Sequence, residues 1–134
     1  MRHAADALPE ECCGLLMGTR LDDRVDVVRI QPGRNCHSGD RRRRYEIDPQ
    51  FAFDAFRQAQ VDGLAVVGFY HSHPDGTDSP SQTDRDESWP DMVYLIAAVP
   101  NRLPKDCRAW RFDGNGETTE CPVFVQGDQT HPPR

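Results

Sequence analysis

The sequence has no apolar stretch near the ~20 residues of a membrane-spanning helix; its longest runs are fragments such as LAVVGFY and MVYLIAAV. No apolar leader opens it, and its five cysteines, at 12, 13, 36, 107 and 121, form an odd set without a CxxC pair. These absences exclude a helical membrane protein and a disulfide framework, and lead us to expect a reduced, cytoplasmic protein. Positive charge is also short. Sixteen Lys and Arg against 22 Asp and Glu leave a formal charge of −6, which argues against non-specific nucleic-acid binding through neutralised phosphates. There is no internal repeat and no linker. At 134 residues the chain has material for one core, so residues 1–134 are expected to form one domain, with 126–134 a flexible tail.

Only 37% of the residues are apolar, but they are bunched into short runs, the signature of a sheet-containing domain rather than a disordered chain. HAADALPEE reads as the tail of a helix. CCGLLMG follows as a buried strand ending at Gly18, and RVDVVRI as a second strand. QPGRNCHSGDRRRR is a polar loop that ends in four arginines, Arg41 to Arg44; these are either solvated or a patch for an anion or acidic partner. RYEI reads as a short strand beyond it. Asp48 followed by Pro49 is a helix start, with Phe51, Phe53, Ala55, Phe56 and Ala59 on an apolar face reaching Val61, and Gly63 as the stop. Leu64 to His73 is apolar throughout until its last residues, which suits a central strand buried on both faces. Ser81 can cap a short helix. DMVYLIAAV is another buried strand, and CRAWRFD and PVFVQ are read as a closing hairpin-like pair.

Histidine is scarce, with five in the chain, yet two stand one residue apart in FYHSHPDG at the exit of the expected central strand. Side chains two apart on a strand point the same way, so His71 and His73 can aim both imidazoles at one point. Asp84 can be folded back as a third ligand, and His, His and Asp are acceptable donors for Zn²⁺. Three protein ligands leave a fourth tetrahedral position open, as in catalytic rather than structural zinc sites. Each residue also has a plainer reading: Ser81 as an N-cap, Asp84 as a first-turn acid, Glu11 as a surface acid. Cys12 and Cys13 read as small buried strand residues, Cys36 and His37 as an incidental pair, and His3 and His131 as solvated near the termini.

The set H-S-H-x7-S-x2-D, with an acidic residue just ahead of CCGLLMG, resembles the JAMM metalloproteases, the catalytic branch of the MPN domain family. The resemblance runs from about Leu8 to Val99. It implies an α/β fold, a mixed, curved sheet flanked by helices and distantly cytidine-deaminase-like. It further implies one zinc ion per chain held by His71, His73 and Asp84, with Ser81 beside it and a catalytic glutamate near the N-terminus. The family places that glutamate three residues before the strand glycine, here Gly14, which selects Glu11 over Glu10; alternation agrees, since Glu11 shares a face with Cys13. Glu11 would act as general base and then as acid toward the leaving amine, and Ser81 would steady the oxyanion.

The implied activity is hydrolysis of a peptide or isopeptide bond after the C-terminal Gly-Gly of a ubiquitin-like protein. The short connection after Asp84 matches compact bacterial members, which process sulfur-carrier proteins of the ThiS and MoaD kind. The competing expectation is a noncatalytic MPN scaffold, which usually lacks part of the metal motif. Family members carry a strand and a fuller helix ahead of the glutamate. Here ten residues precede Glu11, so a late or trimmed start is expected.

Overall fold

In a computed structural model of the chain, residues 2–22, 24–99, 107–113 and 117–124 are described. They form α1 (Arg2–Ala7), β1 (Cys13–Leu21), β2 (Arg24–Gly33), α2 (Pro49–Val61), β3 (Ala65–His73), α3 (Gln82–Asp86), β4 (Val93–Ala98), β5 (Cys107–Phe112) and β6 (Thr118–Cys121). The strands make one six-stranded sheet in the order β2-β1-β3-β4-β5-β6. β3 and β4 are parallel and every other neighbouring pair is antiparallel, so the fold is α/β with a mixed sheet.

Paired apolar residues in the sequence divide between the two sheet faces, as the pleat requires. Leu15, Met17, Val66, Phe69 and Tyr94 pack with Ala55 and Ala59 of α2 on one face. Leu16, Val67, Tyr70 and Ala97 pack with Ala4 of α1 on the other. Val66 and Phe69 share a face although three apart, because the register between β1 and β3 shifts where Leu16 faces Gly68 and Met17 faces Val66; the unpaired Val67 is a bulge that resets the alternation. Gly14 lets β1 pass beneath an aromatic ring: a Cβ there would lie 2.3 Å from the ring of Tyr70.

α2 begins as its sequence dictates, with the Asp48 side chain accepting from the Gln50 N–H and Pro49 at the first turn. Gly63, at φ 75°, follows the helix in the left-handed conformation that glycine adopts without strain. The apolar face is narrower than expected, since Phe53 is 57% and Val61 79% exposed.

Three boundaries differ from the sequence reading. β1 continues past Gly18 to Leu21, because β2 offers it partners as far as Arg24. RYEI contributes only one bridge, Asn35 to Ile47. The partner of β5 is Thr118–Cys121, in register Ala109 to Cys121, rather than PVFVQ; Pro122 has no N–H with which to continue the ladder, and Phe124 is left 86% exposed. The expected tail, 126–134, lies outside the described residues.

Candidate metal centre

β3 delivers both histidines to one place. His71 lies opposite Cys13 of β1 and Ile96 of β4, and two residues on, His73 leaves the strand on the same face. Their Nε2 atoms are 3.2 Å apart. Asp84 completes the convergence, with Oδ1 3.1 Å from His71 Nε2 and Oδ2 3.0 Å from His73 Nε2. α3 holds that carboxylate in place through a capping box: Ser81 N–H donates to Asp84 Oδ2 at 2.8 Å and Asp84 N–H donates to Ser81 Oγ at 3.1 Å. The plain capping reading and the ligand reading are therefore satisfied by one geometry, in which the cap sets the rotamer that the cluster uses.

The electrostatics fit a cation. Burial opposes the Asp84 carboxylate, but hydrogen bonds from His71 and His73 outweigh it and hold it well below the usual carboxylate range. Complete burial lowers the His71 pKa despite the same partner, whereas at the less enclosed His73 burial is outweighed by the Asp84 hydrogen bond together with the negative charges of Asp84, Glu11 and Asp75, which raise it. The two imidazole nitrogens are 3.2 Å apart and each meets its own oxygen of the Asp84 carboxylate at 3.0–3.1 Å, distances close to the spacing of ligands around a tetrahedral ion, about 3.3 Å for bonds of about 2.0–2.1 Å. The residues present thus fit a zinc-sized metal.

Glu11 lies just before β1, 4% exposed. Burial pushes its carboxyl up to about 8; nearby His73 works against that shift and Asp84 and Asp75 add to it. Its Oε1 has no hydrogen-bond partner among the described residues. A looser grouping places one donor atom each from Glu11, His71 and His73 within 4.8 Å of one another. The shorter Asp84 distances make the His71, His73 and Asp84 set the tighter one, with Glu11 beside it. Backbone bonds fix Glu11: its N–H donates to the Arg41 carbonyl at 2.8 Å and its carbonyl accepts from Asn35 Nδ2 at 3.2 Å. Ser72 points to the opposite face, where its Oγ accepts from the Cys12 N–H at 2.8 Å and ties the start of β1 to β3.

Glu11, His73 and Ser81 line a cleft of about 670 Å³, with Arg42 and Arg43 on its wall. An apolar cleft of about 700 Å³, walled by Phe53, Phe56 and Trp89, approaches the cluster from Tyr45 and Asp84. The arginine run is mostly self-neutralised, Arg41 by Glu10, Arg42 by Asp40 and Arg44 by Glu87. Arg43 keeps a 3.9 Å approach to the same Asp40, which favours a solvated loop over a docking patch.

Elsewhere, the Cys13 thiol is pushed up by burial to about 12, which removes it as a nucleophile at neutral pH. His37 pairs with Glu46 at 2.9 Å. His3, expected in solvent, instead shares a 2.8 Å hydrogen bond with the Tyr70 hydroxyl, because α1 packs against the sheet; His131 lies outside the described residues. Sequence reasoning missed Thr77, 3.0 Å from His73 Nδ1, Tyr45, stacked on His71, and Asn35. Thr77 was signalled only by its place in the loop after the histidines, and the other two by nothing local.

A family model described as prokaryotic homologs of the JAB domain matches residues 1–113. A desampylase of Haloferax volcanii is 39% identical over 101 residues, 75% of this chain and 70% of that protein. A CysO-cysteine peptidase of Mycobacterium tuberculosis is 29% identical over 124 residues, 92% of this chain and 82% of that protein. Among solved structures, the solution structure of a protein from Desulfitobacterium hafniense aligns with a TM-score of 0.81 at 28% identity, covering 97% of this chain and 88% of that one.

Proposed function

The chain belongs to the family of prokaryotic JAB-domain homologues, and from that premise we propose that it is a zinc-dependent peptidase or isopeptidase. Its substrate is a ubiquitin-like or sulfur-carrier protein, cut after the C-terminal Gly-Gly. The observation that carries the reading is the convergence of His71, His73 and Asp84 donor atoms within 3.0–3.2 Å beside a buried carboxyl with an unpartnered oxygen. The relatives support the reaction class, since one is named a desampylase and another a CysO-cysteine peptidase.

His71, His73 and Asp84 would hold one zinc ion, and the chemistry it would supply there is Lewis-acid polarisation of the scissile carbonyl and acidification of water. Glu11 takes the proton of the attacking water on its free oxygen. It then delivers that proton to the departing amine, without which an amine is a poor leaving group. Glu11 suits both steps because it is enclosed beside the cluster and one of its oxygens has no partner among the described residues. Ser81 uses a lone pair to accept from Asp84 N–H, so its own proton is free to meet the oxygen on which charge develops. Glycine on the acyl side would let the backbone of the tail lie close against the cleft walls, since it carries no Cβ.

A scaffold without activity has no use for this donor set. We assign the enzyme to the cytoplasm as one domain, since its five cysteines form an odd set without a CxxC pair, as suits a reducing compartment.

Zinc content and cleavage test the proposal together. Purified protein should hold about one zinc per chain, and His71→Ala and Asp84→Ala should lose it while remaining folded. A carrier with a Gly-Gly tail fused to a reporter should be cut after the tail by wild type, and Glu11→Gln should keep its zinc without cutting. Folded wild-type protein that takes up no zinc supplied in excess sinks the reading in favour of the scaffold.

A further inference from the structure

A histidine that ligates a metal ordinarily hydrogen-bonds through its other ring nitrogen, which fixes the tautomer and the ring plane. His73 follows this rule through Thr77. His71 does not: it is fully buried, and its Nδ1 has no partner among the described residues. Its ring is held by a face instead. Tyr45 stacks on it with centroids 4.5 Å apart and planes inclined by 24°, and Tyr45 also lines the apolar cleft.

Tyr45 sits in the connection between β2 and α2, and one side chain organises that connection. Asn35 Nδ2 donates to the Arg44 carbonyl at 2.9 Å and to the Arg41 carbonyl at 3.3 Å, while Asn35 Oδ1 accepts from the Glu46 N–H at 3.2 Å and the His37 N–H at 3.1 Å. The residues before and after Tyr45 are thus tied to a single amide. The same Nδ2 reaches the backbone carbonyl of Glu11, so the main chain that carries Glu11 and the segment that carries the stacked ring share one anchor. Both donor and acceptor of the amide are in use, an arrangement that aspartate, leucine or alanine cannot supply.

We propose that Tyr45 is a positioning residue, which orients the His71 imidazole for metal by stacking in place of the usual hydrogen bond, and that Asn35 holds Tyr45 and Glu11 in one frame. The proposal rests on the metal site assigned above. The phenol acts through its ring, so phenylalanine should replace it and an aliphatic side chain should not. Asn35 acts on two targets, so its loss should affect metal retention and, at saturating metal, turnover as well.

The test compares wild type with Tyr45→Phe, Tyr45→Leu, Tyr45→Met and Asn35→Ala, each loaded with zinc or with Co²⁺. Metal release to a chelator, the visible cobalt spectrum, and circular dichroism as the check on folding are the readouts. Tyr45→Phe should release metal within about 3-fold of wild type and keep the cobalt bands. Tyr45→Leu and Tyr45→Met should release it roughly 10- to 100-fold faster, the usual cost of losing a ligand's support, with altered bands; two aliphatic variants guard against one failing to fold. Asn35→Ala should release metal faster and also lower kcat when metal is saturating. Folded aliphatic variants that retain metal like wild type overturn the proposal, as does a Tyr45→Phe variant as leaky as Tyr45→Leu. Wild-type protein that binds no metal at all overturns the metal site and this proposal with it, an outcome distinct from the other two.

Discussion

Glu11 is a carboxyl kept from water, and the proposed reaction asks it to handle protons. Its pKa, raised by burial from 4.5 to about 8, has a consequence for stability that is separable from catalysis. Below pH 4.5 both folded and unfolded chains keep the proton. Between 4.5 and about 8 the unfolded chain releases it and the folded one does not, so the metal-free fold loses stability as pH rises through that window, by on the order of a few kcal/mol. Glu11→Gln removes this titration and leaves the histidines and Asp84 in place. We therefore expect the variant, stripped of metal, to melt at about the wild-type temperature near pH 5 and clearly above it at pH 8. A difference between the two proteins that stays constant with pH would show that Glu11 ionises in the fold as freely as in solution.

At the scale of the element, α3 is a helix of five residues, too short to persist without tertiary support, and its capping box is the device that aims Asp84. Under the proposed reaction Ser81 has a second duty beside its cap, and substitution can divide the two. Ser81→Ala should cost about 1 kcal/mol of stability as a lost N-cap and lower kcat by roughly 10²- to 10³-fold as a lost oxyanion donor. Ser81→Asn should restore the cap and the melting temperature without restoring kcat. Equal recovery of both quantities in Ser81→Asn would mean that the serine serves only the helix. β3 shows the same economy, since its inner positions fill both cores and its last residues furnish the site.

At the scale of the molecule, the sheet brings the exit of β3 and α3 together beside Glu11, so a metal held by His71, His73 and Asp84 would pin the loop between β3 and α3 in its folded arrangement. Binding restricted to the folded state stabilises it by about 2.7 kcal/mol when free zinc is 100-fold above Kd. Zinc should accordingly raise the unfolding midpoint of stripped wild-type protein by several degrees and leave that of His71→Ala unmoved. A wild-type midpoint indifferent to zinc would place the metal, if bound, outside the folded site.

What was legible from residues alone was whatever depends on near neighbours. Alternation put His71 and His73 on one face, Asp48 and Pro49 opened α2, Ser81 capped α3, and unbroken apolar runs marked strands covered on both sides; the spacing of the histidines, Ser81 and Asp84 carried the family. Pairing across the sheet was not legible. PVFVQ looked the better partner for β5 because it is apolar, yet the ladder selected the Thr118 strand, where each residue had an N–H to give. Nor did the sequence mark His3, which is ordered by Tyr70, 67 residues away, or Asn35 and Tyr45, whose neighbours on the chain carry no pattern. The sequence by itself marked the candidate donors, their order and the elements that carry them, the histidine pair through strand alternation and Ser81 and Asp84 through the spacing that resembles the family's. Only the tertiary structure decided which ring supports His71, what holds Glu11, and that the arginines are spent on their own acids, because contacts between distant segments are set by packing and charge in three dimensions.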